Sequence, residues 1–395
     1  MPGGFSFLLS ILVLLCVRAA EARPVDPEIR VRLKKRAESL EITGIDLRIS
    51  PPSAFIQNEP TLGFHRAKIS RRSSGTWIVK WDHLTRSLKI PSERLWVRGQ
   101  LIRVGLEPAP YDLEILKNPA RGIAVIARLD LDSYLQGVLP AEMPVSWPLE
   151  ALKAQAVSAR SFVLRQAFER RKKDFDVDST VFDQVYKFVE ETHTHPEWKE
   201  KLRLAVTETR GEVLVDGKKH ILKAYYSADC GCQSEDPKFV WGKSEALASV
   251  KDPTCASRRP TRWSFNLNRA EVRSKLLVAL NLPPEATLLA LNIGGRTPSG
   301  RVAKVIAAVE VDGKSNRLAI NSQEFRRIFG FEKIQSTDFK IVWNADELNI
   351  TGTGNGHGVG LCQTGAKTFA EGGTSYREIL KTYYPQATLL NKRKI

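Results

Sequence analysis

The stretch Tyr134-Leu135-Gln136-Gly137-Val138-Leu139-Pro140-Ala141-Glu142-Met143-Pro144 leads through Val145-Ser146-Trp147 into a long helical pattern. One carboxylate, Glu142, stands between two prolines. Proline fixes its own φ and pushes the residue before it out of the helical region. The spacing therefore predicts a stiff, non-helical turn that carries Glu142 just ahead of a helix. Such a turn suits a catalytic acid, and it suits a plain corner equally well.

The helix is expected to begin near Ser146 as N-cap, with Pro148 in its first turn. Leu149, Leu152, Ala156, Ala159 and Val163 recur at spacings of three and four and make one apolar face, with Lys153, Arg160 and Arg165 off that stripe. The charged run Glu169 to Lys173 suits its C-terminal end. Upstream, Ile29–Leu33, Ile45–Ile49, Thr76–Trp81 and Leu95–Val104 are strand-like, with turn residues between them, and predict a β-rich lobe over 23–110. Downstream, a strand over Ile221–Tyr226 runs into Ser227-Ala228-Asp229-Cys230-Gly231-Cys232. Ser322–Phe329 reads as a short helix capped by Ser322. The glycine-rich Gly354 to Ala366 precedes a helix over Tyr376–Tyr384.

The chain has 395 residues, enough for about two domains. Residues Phe5 to Val17 are apolar and too short to span a bilayer. Ala20 and Ala22 fit an A-x-A cleavage site, so residues 1–22 read as a signal peptide, although no Lys or Arg precedes the apolar run. No later stretch spans a membrane, and the expectation is export to the periplasm, cell wall or extracellular space. The net charge of +16 draws such a protein to polyanions. Export argues against nucleic acid and favours wall polymer or a membrane surface. Beyond the signal segment lie Cys230, Cys232, Cys255 and Cys362. Cys230-Gly231-Cys232 is too tight for an easy internal bridge, which makes Cys255 the expected partner of one of the two. Zinc on Cys230, Cys232 and Cys255 is less favoured, because no fourth ligand is evident.

Several chemistries find no support. The glycine-rich loop lacks the Lys and Ser or Thr of a phosphate cradle. No Ser-His-Asp order stands out, and no H-E-x-x-H is present. His357, flanked by glycines, is expected to be exposed and to touch substrate. Asp229, Glu235 and Asp236 form an acidic cluster that is also readable as a polar turn. Glycoside cleavage usually employs two carboxylates. One suffices when the nucleophile belongs to the substrate: the acid protonates the leaving oxygen, and its carboxylate then takes the proton of the attacking hydroxyl. The C6 hydroxyl of muramic acid in peptidoglycan can play that part and leaves a 1,6-anhydro sugar.

Three motifs in order resemble the SpoIID/LytB family of bacterial cell-wall proteins over roughly 105–390. The first is Tyr134-Leu135-x-Gly137-Val138, Glu142-Met143-Pro144 and Glu150 through Arg160. The second is Tyr226-Ser227 through Asp236 to Val240-Trp241-Gly242. The third is Gly356-His357-Gly358-Val359-Gly360, Gln363-x-Gly365-Ala366 and Tyr376 to Pro385. The resemblance implies an α+β fold, a two-lobed domain over 111–390 behind the β-rich lobe. It implies either a lytic transglycosylase acting on stem-peptide-free glycan strands or an enhancer of a cell-wall amidase. Glu142 matches the catalytic glutamate. Lys153, Arg160 and Asp236 match positions linked to activity, and Ser227, His357, Gln363 and Tyr383 match cleft positions. Some members bind zinc near the second motif, but the matching His is missing here.

Overall fold

The computed structural model describes residues 27–34, 38–52, 64–72, 75–81, 88–117, 122–188, 195–242, 247–343 and 347–391. The expected signal peptide lies outside the described residues. The fold is α+β with a β-rich N-terminal region. Nine strands come first, β1 (Ile29–Lys34), β2 (Ser39–Ser50), β3 (Phe64–Arg71), β4 (Trp77–Trp81), β5 (Leu88–Ile90), β6 (Arg94–Val104), β7 (Glu107–Pro108), β8 (Asp112–Lys117) and β9 (Ile123–Leu129), and a tenth, β10 (Val177–Asp178), follows two helices. They form one sheet in the order β10-β1-β9-β8-β6-β2-β3-β4-β5, with β7 on β6. The alternation read from the sequence is its buried face: Ile29, Val31, Leu95, Val97 and Trp77 are all inaccessible. The sheet and its core run across residue 110 into the helical part, because β8, β9 and β10 pair with strands from before it.

α1 (Leu131–Glu142) follows β9 directly, capped by the Asp130 side chain, which accepts from the Ser133 N–H. Here the turn expected around Glu142 is corrected: Glu142 is the last residue of a helix, and Pro140 sits inside that helix. Pro140 removes one helical hydrogen bond, from its own nitrogen to the carbonyl of the exposed Gln136, where water can replace it. Pro144 acts as the sequence suggests. It forces Met143 into an extended conformation (φ −143°, ψ 134°) and ends the helix behind Glu142.

α2 (Leu149–Glu169) has Pro148, not Ser146, at its N-cap; Ser146 is exposed and caps nothing. The single apolar stripe becomes almost total burial, with Ala151, Leu152, Gln155, Ala156, Ser158, Ala159 and Val163 all inaccessible. α2 is therefore the axis of the first core, and α3 (Pro196–Glu208), β11 (Glu212–Val215), α7 (Gln363–Glu371) and α8 (Tyr376–Tyr383) pack around it.

The strand expected over Ile221–Tyr226 shrinks to β12 (Tyr226–Ser227), which pairs in parallel with β19 (Leu361–Cys362); α4 (Pro237–Trp241) lies between them in sequence. A second core holds Trp263, Val272, Phe325, Phe339 and Ile350. It is built from β13 (Arg262–Asn268), α5 (Arg269–Ala279), β14 (Thr287–Ile293), β15 (Lys304–Val311), β16 (Lys314–Asn321), α6 (Ser322–Phe329), β17 (Phe339–Trp343) and β18 (Glu347–Thr353). Asn321, rather than Ser322, caps α6. β20 (Thr388–Asn391) closes the chain against β11.

Candidate functional site

The Glu142 carboxylate sits at the C-terminal end of α1, where the helix's own carbonyls disfavour negative charge. The Val185 N–H donates to its Oε1 at 2.6 Å, and the Tyr226 hydroxyl donates to the carboxylate as well. Burial is the largest influence, exceeds these two hydrogen bonds and raises the Glu142 pKa to about 7. A carboxyl group so poised exchanges its proton near neutral pH.

A buried chain of polar groups fixes the direction of the Tyr226 hydrogen bond. Gln184 is inaccessible, and its Nε2 donates to the Ala159 carbonyl at 3.4 Å and to the Tyr226 hydroxyl oxygen at 3.0 Å. Its Oε1 accepts from the Tyr134 hydroxyl at 2.8 Å. A carbonyl can only accept, so Ala159 sets the amide's orientation. Tyr226 then receives a hydrogen bond from Gln184 and turns its own proton to Glu142. Burial and the nearby Glu142 charge push the Tyr226 pKa well above its ordinary value, so the phenol keeps that proton. The segment bearing Gln184 and Val185 is stapled by Asp183, which accepts from Arg170, Gln166 and the Asp178 N–H. Tyr226, Gln184 and Val185 were not singled out as site residues from sequence, although Tyr226 stands within a quoted motif.

The β12–β19 pairing brings the second and third motifs together. Gly360 is required there, since a Cβ would fall 1.9 Å from the Tyr225 carbonyl. Ser227 is buried, and its Oγ has no partner among the described residues. His357 is half-buried rather than exposed: Nδ1 accepts from the Val359 N–H at 3.0 Å, and the ring also bonds the Tyr226 backbone. Burial first, then the charges of Arg326 and Arg301, lower its pKa to about 3 and keep it neutral. Its ring stands edge-on to Trp241 at 5.0 Å, and Trp241 stacks on Tyr225 at 4.3 Å. Trp241 is nevertheless 42% exposed. It borders an open cavity of about 790 Å³ lined also by Arg165, Arg170, Phe182, Asp183 and Lys223.

The other expected site residues make contacts within the fold. Arg160, off the apolar stripe in sequence, is only 1% exposed. Its guanidinium donates to the carbonyls of Val206, Thr209 and Glu212 and closes the C-terminal end of α3. Lys153 pairs with Glu150 and Glu208, both at 2.7 Å, and ties α2 to α3. Asp236 is the N-cap of α4 and accepts from the Lys238 N–H. Gln363 is buried and donates to Gln155 at 3.3 Å. Tyr383 is buried with its hydroxyl against Gly365, where a Cβ would lie 1.8 Å away. Of the acidic cluster, Glu235 is buried and accepts from Thr297 and Ser299, while Asp229 is paired with Arg258.

Cys232 and Cys255 form a disulfide, which leaves Cys230 of the two alternatives as a free buried thiol. It also removes two of the three sulfurs considered for zinc. Among the described residues, Asp229, Cys230 and Cys362 still converge. The Asp229 carboxylate, however, already accepts from Arg258, the Gly231 N–H and the Thr261 N–H. The Arg258 guanidinium lies 3.4 Å from the Cys362 sulfur. With that cation in place, these residues do not fit a metal ion.

The family match and the relatives place the chain among cell-wall proteins. It belongs to the SpoIID/LytB family. The family profile described as stage II sporulation protein matches residues 120–215, and one described as a domain of unknown function (DUF8618) matches 242–360. The chain is 33% identical over 275 residues to an uncharacterized protein of Brachyspira hyodysenteriae, covering 69% of this chain and 69% of that one. It is 31% identical over 306 residues to Stage II sporulation protein D of Bacillus subtilis, covering 73% of this chain and 84% of the relative. It is 29% identical over 296 residues to a Bacillus subtilis protein named Amidase enhancer, covering 65% of this chain and 40% of that protein. No helix among the described residues is long and apolar enough to cross a membrane.

Proposed function

We propose that the protein is an exported lytic transglycosylase that cleaves peptidoglycan glycan strands between MurNAc and GlcNAc, with Glu142 as sole acid and base. The observation that carries this reading is the Glu142 carboxyl, raised to about 7 and held by Tyr226 and Val185. Protonated Glu142 gives its proton to the leaving glycosidic oxygen. The carboxylate then takes the proton of the muramic acid C6 hydroxyl as that oxygen attacks C1, and the 1,6-anhydro ring closes. The proton balance is zero, as it must be for an acid that resets itself. Tyr226 stabilises the charge that appears on Glu142 between the two transfers. The exposed Trp241 face offers a stacking contact to sugar. Purified protein incubated with stem-free glycan strands tests this: anhydro ends in the mass spectrum support it, and intact strands reject it.

A second reading, a wall-binding enhancer of an amidase, is favoured by the relative named Amidase enhancer. It predicts no glycan product from the protein alone and faster amide cleavage when an amidase is added.

A further inference from the structure

Among the described residues, Cys230 and Cys362 are the two thiols left once Cys232 and Cys255 are joined. They are 132 residues apart in the chain. Both are buried, at 1% and 0% exposure. The parallel pairing of β12 with β19 brings them together: its last register is Ser227 with Cys362, and the Cys230 N–H donates to the Cys362 Sγ at 3.2 Å. The two sulfurs lie within 4.8 Å of each other. At most about 3 Å therefore separates them from bonding distance.

The setting favours reaction at Cys362. Arg258, held by Asp229 and Asp252 at 2.9 Å each, places Nη2 3.4 Å from the Cys362 Sγ and 3.6 Å from the Cys230 Sγ. A guanidinium against a sulfur promotes the thiolate, which is the attacking form. Burial opposes ionisation of Cys362, but the Cys230 hydrogen bond and the Arg258 charge outweigh it. The Thr364 hydroxyl lies at 3.4 Å from the same sulfur.

We propose that Cys230 and Cys362 form a redox pair that closes into a second disulfide by exchange with an external disulfide. The Cys362 thiolate attacks one sulfur of the oxidant and expels the other as a thiolate. Cys230 gives up its proton, and its sulfur attacks the Cys362 Sγ of the mixed disulfide and expels the second thiolate. One disulfide is reduced to two thiols, and two protein thiols are oxidised to one disulfide. Because both sulfurs are buried, the oxidant reaches Cys362 late in folding, once Arg258 stands beside its sulfur and before the segment closes. The bond joins the loop after β12 to the start of α7. These segments carry Ser227 and Gln363, so the redox state sets how firmly the second and third motifs are held together.

The test is refolding of the reduced, denatured full chain in mixed reduced and oxidised glutathione, followed by alkylation in denaturant and peptide mapping without reduction. The expected result is a Cys230 peptide linked to a Cys362 peptide, beside the Cys232–Cys255 pair, with no alkylated cysteine beyond the signal segment. The thermal midpoint is then higher than that of Cys362→Ser, and reduction removes the difference. Circular dichroism and retention of the Cys232–Cys255 link show whether that variant is folded, and Cys230→Ser serves if it is not. The same map on protein taken from an oxidising export compartment needs no refolding. Alkylated Cys230 and Cys362, glutathione adducts in place of the linked peptide, or zinc released on alkylation would each overturn the proposal.

Discussion

The Tyr226 hydroxyl donates to the Glu142 carboxylate while accepting from the Gln184 amide, so one phenol proton is aimed at Glu142. That bond favours the charged form of Glu142, although burial prevails. Tyr226→Phe removes it and leaves the ring. The Glu142 pKa is expected to rise further, by about one unit, and turnover to fall about 10-fold as the carboxylate loses its donor. A pH–rate profile checks this, the basic limb moving toward alkaline pH.

Glu142 also makes stability depend on pH. Its folded pKa of about 7 lies above the ordinary carboxyl value, so the folded state binds this proton more tightly than the unfolded state. The contribution is fully present below the unfolded pKa and is lost as pH rises through about 7. Against Glu142→Gln, which cannot ionise, the native protein should therefore lose up to about 3 kcal/mol between acid and alkaline pH. Urea unfolding of both proteins at several pH values measures the difference.

His357 is expected to stay neutral throughout the physiological range, because its surroundings lower its pKa to about 3. Its ring proton resonances should not titrate between about pH 5 and pH 8. A titration midpoint near the ordinary histidine value would contradict the description of its buried, hydrogen-bonded ring.

Arg160→Ala should unfold more easily, by about 3 kcal/mol, since it strands three carbonyls at the end of α3. Arg160→Lys should recover only part of this, because a single ammonium cannot reproduce the guanidinium fork. Wall binding per folded molecule should be unchanged in both, a result that separates a structural role from a substrate contact.

The strands at Ile29, Thr76 and Leu95 were legible because alternation marks one buried face of a sheet. Glu142 was legible as the candidate acid through its motif, and Pro144 through its effect on Met143. Pro140 misled because the rule against proline inside helices weakens in a last turn, where the freed carbonyl of Gln136 can turn to water. The partners of Arg160 and Lys153 were not legible, because α2 is enclosed on nearly every side and its cations serve neighbouring elements distant in sequence. The partners of Glu142 were likewise hidden. Tyr134, Gln184 and Tyr226 are distant in sequence, and only the packing of α2 against the segment around Asp183 brings their polar atoms into one chain.

The most direct measurement is mass spectrometry of stem-free glycan strands after incubation with the native protein and, side by side, with folded Glu142→Gln. Release of 1,6-anhydro ends by the native protein and its loss in Glu142→Gln is the predicted result. Equal release by both, or release by neither under conditions where the protein speeds an amidase, would contradict Glu142 as the catalytic acid.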